Sequence, residues 1–370
     1  MRVLFVATSY PEDEGDWRGV FIRHLAFALA RVSDLSLAIW APPGPLPAGA
    51  DYLANAQERN WLAKLMADGG IAHVVRSAGA GAVARPWQLV KQLRALYRRE
   101  SELDIYHLNW LQTALPLPAD GKPALITVLG TDLKLLALPL VKPLLRRIMR
   151  KRAVTICPNA EWMREPLESA FGDLARVSPV PFGIDPMWYA IHRKMNSQAP
   201  CWLAVTRLTR DKLGPLLNWS APLFAGQQRQ LHLIGPMQEQ IDLPDWVHYH
   251  GPGTPAQLAQ DWFGRAHGLI TLSQHAEGRP QVMLEAMAAG LPIIASDMPA
   301  HANLVQHDIT GQLCSSASDY ASAIDYLEHT ENNQAAGAAA RAWVAKEIGT
   351  WDDCAERYVK LYRQLLVNDA

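Results

Sequence analysis

The sequence predicts an α/β protein of two doubly wound domains, and three observations carry that expectation. The chain has 370 residues, more than one ordinary hydrophobic core organises and enough for two domains of roughly 150–200 residues each. Short apolar runs alternate with stretches of helical periodicity, as in parallel sheets whose strands are joined by crossover helices. That alternation runs through twice, with a break between the two series around Gly183 to Pro200.

The first series opens on Met1 to Ala7, an apolar run that reads as a buried strand. A polar loop from Ser9 to Arg18 follows. Val20 to Arg31 is then helical, because Phe21, Leu25, Ala28 and Leu29 recur at helical spacing. Further strands are expected at Leu35–Trp40, Ile71–Arg76, Ile105–Leu108, Ala124–Leu129 and Val154–Cys157. The break contains Pro186, Pro200 and a polar run from His192 to Gln198 with little apolar periodicity, which suits a linker. The second series has strands at Trp202–Thr206, Gln230–Ile234, Val247–Tyr249, Gly268–Leu272 and Ile293–Ala295. Trp351 to Leu366 forms an amphipathic helix with no strand after it. The expected division is 1–185 and 186–345, with 346–370 as a C-terminal helix packing back on the first domain.

Composition narrows the function. Apolar residues make up 49% and charged residues 19%, a globular balance, and the net charge of −1 gives no global field for nucleic acid. Cys157, Cys201, Cys314 and Cys354 show no C-x-x-C spacing, so they read as reduced thiols of a cytoplasmic protein. His248 and His250 share one strand face and read as structural, so no metal ligands are assigned. The N-terminal apolar run is too short for a signal peptide, and no stretch is long and apolar enough to span a membrane.

The densest chemical signal is S-Q-H-A-E-G-R-P-Q-V-M-L-E-A-M-A-A-G-L-P-I-I-A-S, from Ser273 to Ser296. A strand ends just before it. Pro280 opens a helix, where a missing N–H costs nothing, and Gly290 with Pro292 closes it. Glu277 then sits in the loop at the carboxyl edge of the strand, and Glu285 one to two turns into the helix. Open α/β sheets bind ligands at that edge, and helix N-termini attract anions. A diphosphate fits there, with a carboxylate to either side of it. A second polar segment, Ala204 to Lys212, ends the first strand of the second series. It places Arg207 and Lys212 at the same kind of edge, where two fixed cations can neutralise developing negative charge.

The Ser273–Ser296 segment resembles the E-x7-E signature of retaining glycosyltransferases of the GT-B fold, family 4, also called group 1. The resemblance implies two Rossmann-like domains facing each other across a cleft. It also implies transfer of a hexose-type sugar from a nucleoside-diphosphate sugar, a co-substrate rather than a cofactor, to a hydroxyl acceptor. In that family Glu277 would contact the donor sugar and Glu285 the ribose, and backbone amides from Arg279, Pro280, Gln281 and Val282 would border the sugar. Arg207 and Lys212 match G-R-L-x-x-x-K, with Thr206 in place of Gly, and would clamp the leaving diphosphate without a metal. Val180 to Asp185 is similar to V-P-N-G-I-D, with Phe182 in place of Asn. Gly19 is the expected phosphate-loop glycine, with Gly15 the alternative, and Gly235 and Gly251 fall where the base is held. The expected acceptor is a glycan or glycolipid of bacterial surface polysaccharide or lipopolysaccharide synthesis.

One departure concerns T-x-H-G-x-D, which reads Thr127-Val128-Leu129-Gly130-Thr131-Asp132 here. Leu129 cannot donate a hydrogen bond or move a proton. Asp132, the backbone at Gly130, and His107 at the end of an earlier strand are the candidates for that role. The alternatives to a transferase are a non-catalytic nucleotide-sugar-binding protein and a sugar-nucleotide epimerase of the same fold. Finally, 133–152 holds seven basic residues and no acidic one, interleaved with leucines. Such a segment either packs as a helix with one solvated face or lies on an anionic membrane surface at the inner face of the plasma membrane.

Overall fold

The computed structural model describes residues 1–16, 18–70, 81–194, 199–226, 228–275 and 278–367. It divides into unit 1, Met1–Phe182 with Trp351–Ala370, and unit 2, Gly183–Thr350. The first boundary lies three residues ahead of the expected one, because the expected linker is already part of unit 2's core. Ile184 and Trp188 are buried there, and Asp185 Oδ1 caps the short helix Pro186–Tyr189 through Met187 N at 2.9 Å. Isolated anchors of this kind leave no periodicity in the sequence.

Unit 1 has, among its described residues, strands β1 (Arg2–Val6), β2 (Ser36–Trp40), β3 (Asp51–Tyr52), β4 (Ile105–Asn109), β5 (Ala124–Val128), β6 (Val154–Pro158) and β7 (Arg176–Val177). They form one parallel sheet in the order β3-β2-β1-β4-β5-β6-β7. Alternation along β1 makes two cores. Leu4 and Val6 enter one, while Val3 and Phe5 enter the other. The second core is closed by the helix Trp351–Val367, whose Trp351, Cys354, Tyr358 and Tyr362 are buried alongside the helix Val20–Ala30. The strand expected at Ile71–Arg76 lies outside the described residues. Neither β3 nor β7 was expected; at two residues each they are too short to show a pattern.

Unit 2 has β8 (Cys201–Val205), β9 (Gln230–Ile234), β10 (Val247–Tyr249), β11 (Gly268–Thr271), β12 (Ile293–Ser296) and β13 (Gly311–Cys314), again all parallel, in the order β10-β9-β8-β11-β12-β13. Leu203 faces one core, and Trp202 and Ala204 the other. In each sheet the chain lays strands outward from its first strand and then returns to build on the other side. The reversal falls between β1 and β4 in unit 1, and between β8 and β11 in unit 2. Crossover loops diverge at such a switch point and leave a crevice at the carboxyl ends of the strands. All four cysteines are buried and free, and no helix among the described residues is long and apolar enough to cross a membrane.

Candidate active site

The switch point of unit 2 gathers the segments that carry the motifs. The loop after β8 is fixed on both sides. Toward β9, Leu208 N donates to Pro236 O at 2.9 Å, and Gln238 N and Glu239 N both donate to Leu208 O at 3.1 Å. Toward β11, Gln274 N donates to Asp211 O at 2.8 Å. The short helix Arg210–Leu213 is capped by Thr209 Oγ1, which accepts from Lys212 N at 3.2 Å. Arg207 and Lys212, both half-buried, therefore stand on a loop whose backbone is held by its neighbours. The loop after β11 is tied in turn to β12, where Ser296 Oγ donates to Ser273 O at 2.6 Å.

Glycine is required at the end of β9. Gly235 has φ of 146°, and a Cβ on it would lie 1.8 Å from Thr206 O. Its N–H donates to Gly251 O at 2.7 Å, so the two glycines expected at the base lie side by side. Tyr249, partly exposed, donates from its hydroxyl to Gly235 O at 3.0 Å.

The helix Gln281–Ala288 starts at Pro280 and points its N-terminus to this edge. The first amides of a helix have no acceptor within it, so Gln281 and Val282 bring polar backbone to the crevice. The Gln281 side chain donates from Nε2 to Gly183 O at 2.8 Å and braces the start of the helix on unit 2's first segment. Arg279 is half-buried beside it. Glu285 lies farther along the helix with part of its surface open, yet burial and then the negative charge of Asp185 push its carboxyl up to about 7. The other glutamate of the motif, Glu277, lies outside the described residues.

In unit 1 the corresponding edge is built on backbone. Gly19, at φ 72°, begins the helix Val20–Ala30, and a Cβ there would lie 2.8 Å from the carbonyl carbon of Ser9. Gly15 has no such constraint, its nearest neighbour being Asp13 Oδ1 at 3.4 Å. Asp132 is 3% exposed and joins two loops. Its Oδ1 accepts from Leu129 N at 3.1 Å, and its Oδ2 accepts from Leu111 N at 3.2 Å, while burial pushes its carboxyl up to about 6. Gly130, at φ 99°, makes the turn between them. Asp132 thus braces the two loops that shape this edge, each of its oxygens accepting from a backbone N–H.

For His107 the catalytic expectation meets a different surrounding. It is fully buried, in contact with the Tyr362 hydroxyl through Nδ1, and 2.9 Å from Thr127 Oγ1 through Nε2. Phe5 and Tyr358 pack on its ring, and burial holds its pKa down at about 3. A neutral imidazole with both nitrogens engaged inside a core is a structural group.

Residues 200–329 match the family model described as Glycosyl transferases group 1. The chain is 25% identical over 401 residues to a GDP-mannose-dependent alpha-(1-6)-phosphatidylinositol monomannoside mannosyltransferase of Mycobacterium tuberculosis, covering 98% of each chain. Residues 200–329 therefore resemble a group 1 glycosyl transferase domain, and the whole chain is similar to a mannosyltransferase. Among solved structures, sucrose-phosphate synthase from Thermosynechococcus elongatus superposes with a TM-score of 0.71 at 18% identity over 100% of both chains. Anabaena HepE, in complex with UDP and glucose, gives 0.66 at 15% identity over 99% of this chain and 100% of its own. Together with fold neighbours at TM-scores of 0.71 and 0.66, this shows a GT-B fold whose group 1 match falls on the unit that holds Arg207, Lys212 and Glu285. Two of its site residues were not expected. Asp185 acts on the Glu285 carboxyl from a hundred positions away, and Gly214 sets the cation loop against the end of β11. Only the V-P-F-G-I-D run hinted at the first, and nothing local marked the second.

Proposed function

We propose that this glycosyltransferase moves a hexose-type sugar from a nucleoside-diphosphate donor to a hydroxyl acceptor with retention of anomeric configuration and without a metal ion. The observation that carries the reading is the convergence of the Arg207–Lys212 loop on the β11 edge and the helix bearing Glu285, all within unit 2. Two cations on a braced loop can take up the charge that develops on a leaving diphosphate, the role a divalent ion would otherwise have. The acceptor hydroxyl then attacks from the side the diphosphate leaves, and a leaving phosphate oxygen takes its proton. Glu285 receives ribose hydroxyls, and Glu277 orients the sugar.

The curated relative makes GDP-mannose the first donor to test, and HepE makes UDP-glucose the second. The relative's phosphatidylinositol mannoside likewise favours a glycolipid acceptor. The test is to incubate the protein with each donor and a lipid-extract acceptor, with and without excess EDTA, and to follow diphosphate release and the anomeric signal of the product. Retention in the presence of EDTA supports the proposal. Inversion, or activity lost to EDTA and restored by Mn²⁺, overturns it. A donor that binds and is never consumed would instead favour a non-catalytic nucleotide-sugar-binding protein, a reading that Leu129 alone supports.

A further inference from the structure

We propose that the segment from Lys134 to Lys151 in unit 1 is a docking surface for an anionic membrane. The sequence offers two uses for its leucines, and the structure separates them. The helix Val141–Met149 buries Leu145 and Met149 and packs Val141 and Ile148 against the same core, a stripe at i, i+4, i+7 and i+8. Leu133 and Leu136 join that core from the preceding turn. Three leucines are left out of it: Leu138, Leu140 and Leu144 are 47%, 70% and 47% exposed. Leu140 also holds φ at 72°, a left-handed conformation that leucine rarely adopts, so the fold accepts strain where it presents this side chain to solvent.

The cations divide in the same way. Arg146 is engaged at the surface, donating to Asp173 and to Ala170 O, and Arg152 is buried on the carbonyls of Lys122 and Pro118. Arg152 is out of a membrane's reach and Arg146, though partly exposed, is already paired, so five of the seven basic residues are available for docking. Lys134, Arg147, Arg150 and Lys151 are exposed, and Lys142 is half-exposed. Leu140, Leu144, Arg147 and Lys151 follow one another at helical steps of four, three and four, so the apolar and basic groups share a side of the helix. No acidic residue occurs from 133 to 152. Exposed leucines ringed by cations match the acyl boundary and headgroups of a bilayer rich in acidic lipid. The segment begins directly after Gly130 and Asp132 at the carboxyl edge of β5, so a docked membrane would lie beside the crevice of unit 1.

The test needs no substrate and so stands or falls apart from the donor and acceptor assignments. The full chain is centrifuged with vesicles of phosphatidylcholine mixed with phosphatidylglycerol, and with phosphatidylcholine alone, at low and high salt. The wild type should sediment with the acidic vesicles at low salt, and less at high salt. The combined change Lys142→Gln, Arg147→Gln and Arg150→Gln should lower its partition about 10²-fold. Leu140→Gly should lower it about tenfold while melting no lower than the wild type, because glycine relieves the backbone. The proposal is overturned if the wild type stays in the supernatant with acidic vesicles at low salt, or if the triple variant sediments like the wild type. It is equally overturned if the leucines instead serve a second copy of this chain, seen as a dimer that Leu140→Gly dissociates without any change in vesicle binding.

Discussion

Gly214 and Leu272 meet backbone to backbone: a Cβ on Gly214 would lie 2.1 Å from the Leu272 carbonyl oxygen. Gly214 also has φ of 52°, so a side chain there is strained as well as obstructed. This contact seats the loop of Arg207 and Lys212 on the end of β11. Gly214→Ala should cost about 2–3 kcal/mol of stability and weaken nucleotide binding with it. Thermal melting and calorimetric titration with GDP and UDP measure both, and an unchanged melt would show that the loop can move aside.

The Glu285 carboxyl, pushed up to about 7 from an ordinary 4.5, gives a pH dependence. A folded-state value above the unfolded one means that ionisation opposes folding. Its contribution to stability is present below about 4.5 and is lost as pH rises to about 7. If ribose hydroxyls donate to the carboxylate, donor affinity should rise between pH 6 and pH 8, within about one unit of that midpoint. Asp185→Asn removes a negative neighbour while keeping a capping oxygen, and should move the rise to lower pH. A flat affinity profile would take Glu285 out of the donor site.

Arg207→Ala and Lys212→Ala should each lower turnover by about 10²–10³. Donor affinity should fall less, since the charge they meet grows as the bond to phosphate breaks. Single-turnover rates beside equilibrium binding separate the two effects. Equal losses in both would assign the residues to ground-state binding.

His107 and Asp132 should behave differently from each other. His107→Ala takes a partner from the Tyr362 hydroxyl and one of two from the Thr127 hydroxyl, which keeps Tyr358, and should cost about 2–4 kcal/mol, with the turnover of the remaining folded protein near normal. Asp132→Asn keeps the size but replaces one acceptor oxygen by an amide facing a backbone N–H. It should loosen the Leu111 and Leu129 loops and lower turnover more than donor affinity. Melting temperatures with kcat and KM for both variants decide it, and a His107 variant that melts normally but fails to turn over would restore His107 to the catalytic list.

The histidines of β9 and β10 offer an acid-stability test. His232 Nδ1 lies 2.9 Å from His250 Nε2, with the His248 ring stacked on it and the Trp262 ring tilted against it. Burial, followed by the neighbouring His248, His250 and Arg265, holds His232 down at about 4. Its folded value lies below the unfolded 6.5, so the neutral form is favoured by folding, and stability is lost as pH falls from about 6.5 to about 4. With solvent screening discounted, this is on the order of 2 kcal/mol. His232→Asn should flatten the melting temperature between pH 7 and pH 5, and an unaltered slope would place the acid sensitivity elsewhere.

Much of this was legible in the sequence because parallel strands buried on both faces are near-continuous apolar runs, and because Pro280 and Gly290 bracket a helix by their backbone chemistry. What escaped depends on distance along the chain. His107 looks like a strand-end histidine until Thr127, Tyr358 and Tyr362 close around it, the last of them 255 positions away. Arg146 and Arg147 are adjacent and alike, and only the approach of Asp173 decides that one is engaged and the other exposed. The strand β13 escaped because Gly311 and Gln312 interrupt its apolar run; a Cβ on Gly311 would lie 2.1 Å from Ile293 O.

The helix Trp351–Val367 completes unit 1, although all of unit 2 precedes it in the chain. On the ribosome, therefore, unit 2 can close its two cores while one face of the β1 sheet still waits for Tyr358 and Tyr362. The half-built unit would expose Val3, Phe5 and Leu25 for the time needed to make about 170 residues, roughly ten to thirty seconds at ordinary elongation rates. A nascent chain with such a gap is a natural client for a holding chaperone, and truncation before Trp351 should strand it in that state.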